Sequence, residues 1–120
     1  MVNTEYLIDE PDLPKGFTYP GAFLRVVNQG LIDLTPWYII DKDQALKRLA
    51  GLKDRYPTRS LIPFARRDDN DDVACFEIGQ EHSVTIVHDF ASSGYETKKK
   101  LDTFWDWFKY AVDEMILFEP

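Results

Sequence analysis

Arg66-Arg67-Asp68-Asp69-Asn70-Asp71-Asp72-Val73-Ala74-Cys75-Phe76 places four aspartates within five residues, directly ahead of an apolar run. Carboxylates at this density suit a cation site, an acid–base pair or a negative contact surface. An EF-hand loop needs Gly at its sixth position and a bidentate Glu at its twelfth. Counted from Asp68 these are Val73 and Gly79, so that pattern fails. A different hard-cation site built from Asp68, Asn70 and Asp72 stays open on ligand type alone. Glycosidase chemistry needs two carboxylates on opposite sides of a sugar, and aspartates crowded on one loop do not supply them. Asp and Asn also favour turns, because their short side chains bond nearby backbone groups. The expectation is a hairpin tip with no metal and no cofactor, whose negative potential serves recognition.

Cys75 and His88 form the next pair, since a thiol beside an imidazole is a nucleophile with its base. By alternation Cys75 projects from mid-strand, where a free Cys behaves as a small buried hydrophobe. His88 shares its strand face with Val84 and Ile86, which fits a hydrogen-bonded structural His. Ser92-Ser93-Gly94 lacks both the nucleophile-elbow spacing and a P-loop lysine, and reads as a loop. Trp105 and Trp107, with Phe104 and Phe108, would stack bases or sugars only if exposed. Helical periodicity sends most of them inward and leaves Trp107 at the flank, a candidate contact residue.

These residues need elements to position them. Tyr19 to Gly30 reads as a short first helix, with Pro20 in its first turn, Gly30 ending it and Phe23, Val26 and Val27 inward. Trp37-Tyr38-Ile39-Ile40 reads as a strand. Asp41 and Gln44 have capping-box spacing and open a helix that buries Ala45, Leu46, Leu49, Leu52 and Tyr56, with Pro57 past its end. Leu61 to Arg66, Val73 to Ile78 and Val84 to Phe90 read as strands joined by short, antiparallel connections. Both faces of these strands carry apolar residues, so the sheet is covered at least partly on each side. Lys98-Lys99-Lys100 reads as a solvated loop before the last helix. That long C-terminal helix carries a wide stripe of Phe104, Trp105, Phe108, Ala111, Val112, Met115 and Ile116. The order implies an α+β fold, a central and largely antiparallel sheet with helices packed on it.

The 120 residues, 1–120, fit a single domain able to build a core without staples. Fourteen Lys and Arg against 21 Asp and Glu give a net charge of −7, which opposes nucleic-acid binding and favours a basic protein partner. One cysteine excludes an intramolecular disulfide and suits a reducing compartment. Met1-Val2-Asn3-Thr4-Glu5 lacks a signal-peptide start, and no apolar run approaches the ~20 residues that span a bilayer. A soluble, cytoplasmic protein without membrane contact is expected, a signal-independent secretion route remaining open.

Several of these stretches together resemble the SUKH superfamily of bacterial toxin-immunity proteins and yeast cell-wall-assembly regulators. They are Asp12-Leu13-Pro14 with the Phe23-Leu24 helix and Gly30, then Leu61-Ile62-Pro63-Phe64-Ala65 and Asp71-Asp72-Val73-Ala74-Cys75-Phe76-Glu77. Val87-His88-Asp89-Phe90-Ala91-Ser92-Ser93-Gly94-Tyr95-Glu96 and the Phe104-Trp105-Asp106-Trp107 helix complete them. The resemblance spans residues 12 to 108, and Asp68-Asp69-Asn70 stands where many relatives carry Gly-rich residues. It implies the α+β architecture just read, no catalytic centre, and an antidote that binds and blocks a cognate toxin, often a nuclease.

The expected function is therefore a non-catalytic protein-binding domain, an immunity protein acting on a basic toxin domain. Asp68, Asp69, Asp71 and Asp72 would contribute, with Tyr95, Glu96 and Trp107 beside them. A regulatory or scaffold module like the yeast members is one alternative. A small-molecule-binding domain or an enzyme using Cys75 or His88 is another.

Overall fold

The computed structural model describes residues 3–118; Met1 and Val2, which begin the segment read against a signal peptide, lie outside the described residues, as do Glu119 and Pro120. Two short 3-10 turns, Thr4–Tyr6 and Glu10–Asp12, precede helix α1 (Gly21–Asn28). Pro20 sits at the N-cap, one place ahead of the first helical residue. Gly30 takes φ +73°, and the amides of Gly30 and Leu31 donate to the carbonyls of Val27 and Val26, the pairing that closes a helix on a left-handed residue. Asp41 caps α2 (Lys42–Arg55) by accepting from the Gln44 amide at 2.9 Å. Thr103 caps α3 (Phe104–Leu117) by accepting from the Asp106 amide at 3.1 Å.

The strands are β1 (Asp33–Leu34), β2 (Trp37–Ile39), β3 (Leu61–Arg67), β4 (Asp72–Glu77), β5 (Val84–His88) and β6 (Thr97–Leu101). They lie in chain order in one sheet, and every neighbouring pair is antiparallel. With helices on both faces this is the expected α+β fold. Alternation sends Trp37, Ile39, Ala74, Phe76, Val84 and Ile86 to one face, where α1 and α3 close over them with Phe23, Val26, Phe104 and Trp107. Phe64 and Phe76 stack at 4.4 Å in the middle of that layer. The opposite face carries Leu61, Val73, Cys75 and Val87 under Leu52 and Tyr56. Ile40 and Ala45 join Ile8 in a third cluster. Among the described residues no helix is long and apolar enough to cross a membrane.

Two strands differ from the sequence reading. β1 is only two residues long, too short to show a period. β6 contains the three lysines expected in a loop. It is an outer strand with exposed Thr97, Lys98, Lys99 and Lys100, so its low intrinsic strand propensity is overridden by pairing with β5. Lysines on an outer strand also keep it from pairing with another chain.

Candidate functional site

The acidic stretch does form the turn between β3 and β4, and the chain's own groups hold much of it. Asn70 Oδ1 accepts from the Asp72 amide at 2.8 Å, and the Asp68 amide donates to the Pro36 carbonyl at 3.0 Å. Arg67 forks onto Asp69 at 2.8 and 3.0 Å and reaches Glu114 of α3 at 2.7 Å. The Arg67 fork holds the Asp69 carboxyl below its ordinary range. Asp72 is the first residue of β4, is buried, and is bonded by His88 Nδ1 at 3.0 Å and by Lys98 Nζ. Asp68 and Asp71 stand exposed, and among the described residues no side chain bonds their carboxylates. Among the described residues no group of three His, Cys, Asp or Glu side chains gathers as a metal-ligand set.

Register separates Cys75 from His88. His88 pairs with Asp72 and Cys75 pairs with Thr85, so the two side chains leave the sheet on opposite faces. Cys75 is fully buried, and burial pushes its thiol far above the ordinary range, which removes the thiolate that nucleophilic chemistry needs. His88 is exposed at the rim on the α3 face, where its Nδ1 bonds Asp72 at 3.0 Å, the hydrogen-bonded histidine expected of this position.

The loop after β5 is built around a buried carboxylate. Asp89 receives Arg55 Nε and Nη2 at 2.7 Å each, Arg48 Nη1 at 2.7 Å and the Phe90 amide at 2.9 Å. Burial raises the Asp89 carboxyl, but the bonds from Arg55, Arg48 and the Phe90 amide outweigh it and hold the group below the usual aspartate range. The Asp89 amide donates to the Asp71 carbonyl at 3.0 Å, which ties this loop to the acidic turn. Tyr56 Oη donates to the Ala91 carbonyl at 2.8 Å. At the other end Glu96 accepts from the Gly94 amide and from Arg59 at 2.9 Å, and Arg59 also forks onto Glu77. Gly94 turns the chain at φ +97°. Between these anchors Phe90 and Tyr95 face solvent, 63% and 82% exposed, and Phe90 holds φ +69°.

The seven residues expected at a partner surface therefore divide. Asp68, Asp69, Asp71 and Tyr95 are at the surface, along one rim of the sheet. Asp72 and Glu96 are not: each is buried and neutralised by bases of this chain, Asp72 because strand β4 begins one residue earlier than expected and Glu96 because Arg59 lies across it. Trp107 is also corrected, with no exposed surface; it packs between Trp37 and Phe64 at ring separations of 5.8 and 4.9 Å. The exposed tryptophan of α3 is Trp105, at 45%.

Arg48, Arg55 and Phe90 were missed, although their spacing is informative. Arg48 and Arg55 are two helical turns apart on one face of α2, with Gly51 between them. A Cβ at Gly51 would stand 2.6 Å from Arg55 Nη2, so the glycine lets the guanidinium lie back along the helix toward Asp89. Together with Lys47, Arg66, Tyr38 and Phe90 these residues line a groove of about 520 Å³ between α2 and the sheet. The chain matches no family model, no curated protein and no solved structure.

Proposed function

We propose that this chain is a non-catalytic protein-binding domain of the SUKH type, an immunity protein that occupies and blocks a cognate toxin. One observation supports it above the others. Phe90 and Tyr95 project from a single loop whose backbone is fixed at both ends by buried ion pairs, so they meet a partner already ordered. Aromatics presented on an ordered backbone lose less entropy on binding, and aromatics are enriched at the centres of interfaces. Asp68 and Asp71 lie on the adjoining turn, tied to the loop through the Asp89–Asp71 backbone bond. Their sign, within a chain of net charge −7, complements the basic groove of a nuclease. The separation of Cys75 from His88 argues in the same direction.

The test is binding to the products of adjacent genes, by co-purification and then by kinetics. Phe90→Ala and Tyr95→Ala should each speed dissociation at least about tenfold, roughly 1.4 kcal/mol of affinity. Asp68→Asn with Asp71→Asn should slow association, with the difference fading as salt rises. Binding to an ordinary cellular protein in the absence of any toxin would replace immunity with a regulatory role. Full affinity after loss of both aromatics would refute the surface.

A further inference from the structure

The groove under α2 has the opposite sign to the molecule. Lys47, Arg48, Arg55 and Arg66, four of the chain's fourteen Lys and Arg, line it, and among the described residues no Asp or Glu does. Asp89, buried beneath Arg48 and Arg55, is the carboxylate those two arginines share. Its two oxygens do not saturate them. A guanidinium carries five N–H donors. Arg55 commits Nε and Nη2 to Asp89, Arg48 commits Nη1, and Arg66 commits Nε and Nη2 to the carbonyls of Arg67 and Asn70. All three arginines and the exposed Lys47 line the groove.

Three features suit this groove to a ligand. Asp89 fixes two guanidinium groups side by side before anything binds, so little rotamer freedom is lost on binding. Gly51 lines the groove without a side chain, and a Cβ there would push against the Arg55 guanidinium. Phe90 sits in a left-handed conformation unfavourable to an aromatic residue, with its ring 4.1 Å from the Arg55 guanidinium carbon and most of its surface open. Strain of this kind collects where a side chain must be aimed.

We infer that this groove binds the phosphate monoester of a small organic molecule. Arg48, Arg55 and Lys47 take the phosphate oxygens, and Phe90 and Tyr38 take the organic part. Four cations line the groove, with Asp89 beneath two of them and Asp54 acting on Arg55 from the same helix. That leaves more positive charge than a carboxylate ligand neutralises, whereas a phosphate monoester brings about −1.5 to −2 and three strong acceptors. A polyanion would meet the repulsion of the whole chain. A small ligand inside the groove is shielded from distant charges by a screening length of about 8 Å at physiological salt. The volume lies within the range of small-molecule sites, about 300–1,000 Å³.

The full chain is titrated with phenyl phosphate, inorganic phosphate and benzoate, read by calorimetry and by amide chemical shifts, with no partner protein present. Phenyl phosphate should bind at least tenfold more tightly than either of the others and move the amides of Arg48, Gly51, Arg55 and Phe90. Lys47→Gln, at an exposed position, should weaken it without affecting the fold. Gly51→Ala should weaken it by displacing Arg55. Benzoate equal to phenyl phosphate would overturn the phosphate assignment, and inorganic phosphate equal to it would overturn the ester. Shifts elsewhere, or affinity unchanged in both variants, would overturn the site.

Discussion

Asp89→Asn tests whether the loop that presents Phe90 and Tyr95 is held by charge. The side chain keeps its shape and one acceptor oxygen, but its new NH₂ faces guanidinium N–H groups where an acceptor stood. Asp89 has no exposed side-chain surface, while Arg48 and Arg55 keep 16% and 27% of theirs. Removing one partner of a buried pair costs about 3–5 kcal/mol, and arginines with a wet edge can rehydrate, so the lower end, about 3 kcal/mol, is expected. For a domain of this size that is a fall of roughly 10–15 °C in Tm. Urea unfolding followed by tryptophan fluorescence measures it, with an unchanged m-value showing that the variant is still the same compact fold.

The pH dependence gives a second reading of the same variant. Asp89 titrates lower in the folded chain than its ordinary value of 3.8, so its contribution is fully present above that value. It is lost as pH falls through the folded value. The gap between parent and Asp89→Asn should therefore be constant between about pH 5 and 7 and close below about pH 4. A gap under about 1 kcal/mol at neutral pH, or one that persists unchanged at pH 3, would show that shape and not charge positions the loop.

Two further outcomes follow from burial. Trp107→Ala should cost about 3–5 kcal/mol by emptying the space against Trp37 and Phe64, whereas Trp105→Ala should cost less than about 1 kcal/mol; chemical denaturation of both variants compares them. Cys75 should resist a thiol-specific disulfide reagent at mildly alkaline pH until the chain unfolds, and rapid labelling of the native protein would contradict its position between β4 and α2.

Most elements are visible in the sequence because their signals are local. Asp41 with Gln44 marks the start of α2, and Gly30 marks the end of α1, with no reference to tertiary contacts. β3, β4 and β5 stand out as apolar runs between turn residues. β6 does not, because three consecutive lysines carry no apolar face and only the neighbouring strand makes them extended. In α3 the wide apolar run obscured which side is inward. Trp105 and Ile116 pull the stripe away from its buried line, which is Phe104, Trp107 and Ala111 at steps of three and four. The last turn leaves Ile116 and Leu117 exposed. The charged site is the least legible part. A carboxylate in sequence gives no sign of whether a base from 26 or 37 residues away will cover it, as Lys98 covers Asp72 and Arg59 covers Glu96.

That covering changes how the acidic character of the chain can act. Asp72, Asp89 and Glu96 are neutralised inside the fold and Asp69 is forked by Arg67, so the dense run in the sequence leaves two uncommitted aspartates at the turn. Two exposed charges form a weak local source, and screening over about 8 Å at physiological salt confines them further. In the proposed complex steering would come from the net −7 spread over the surface, and the turn would add direction to it. In the proposed complex affinity would rest, in contrast, on what is desolvated at contact, which on this rim is Phe90 and Tyr95. The aspartates should therefore register mainly in association rates and the aromatics mainly in dissociation rates, because the first act before contact and the second only after water has left.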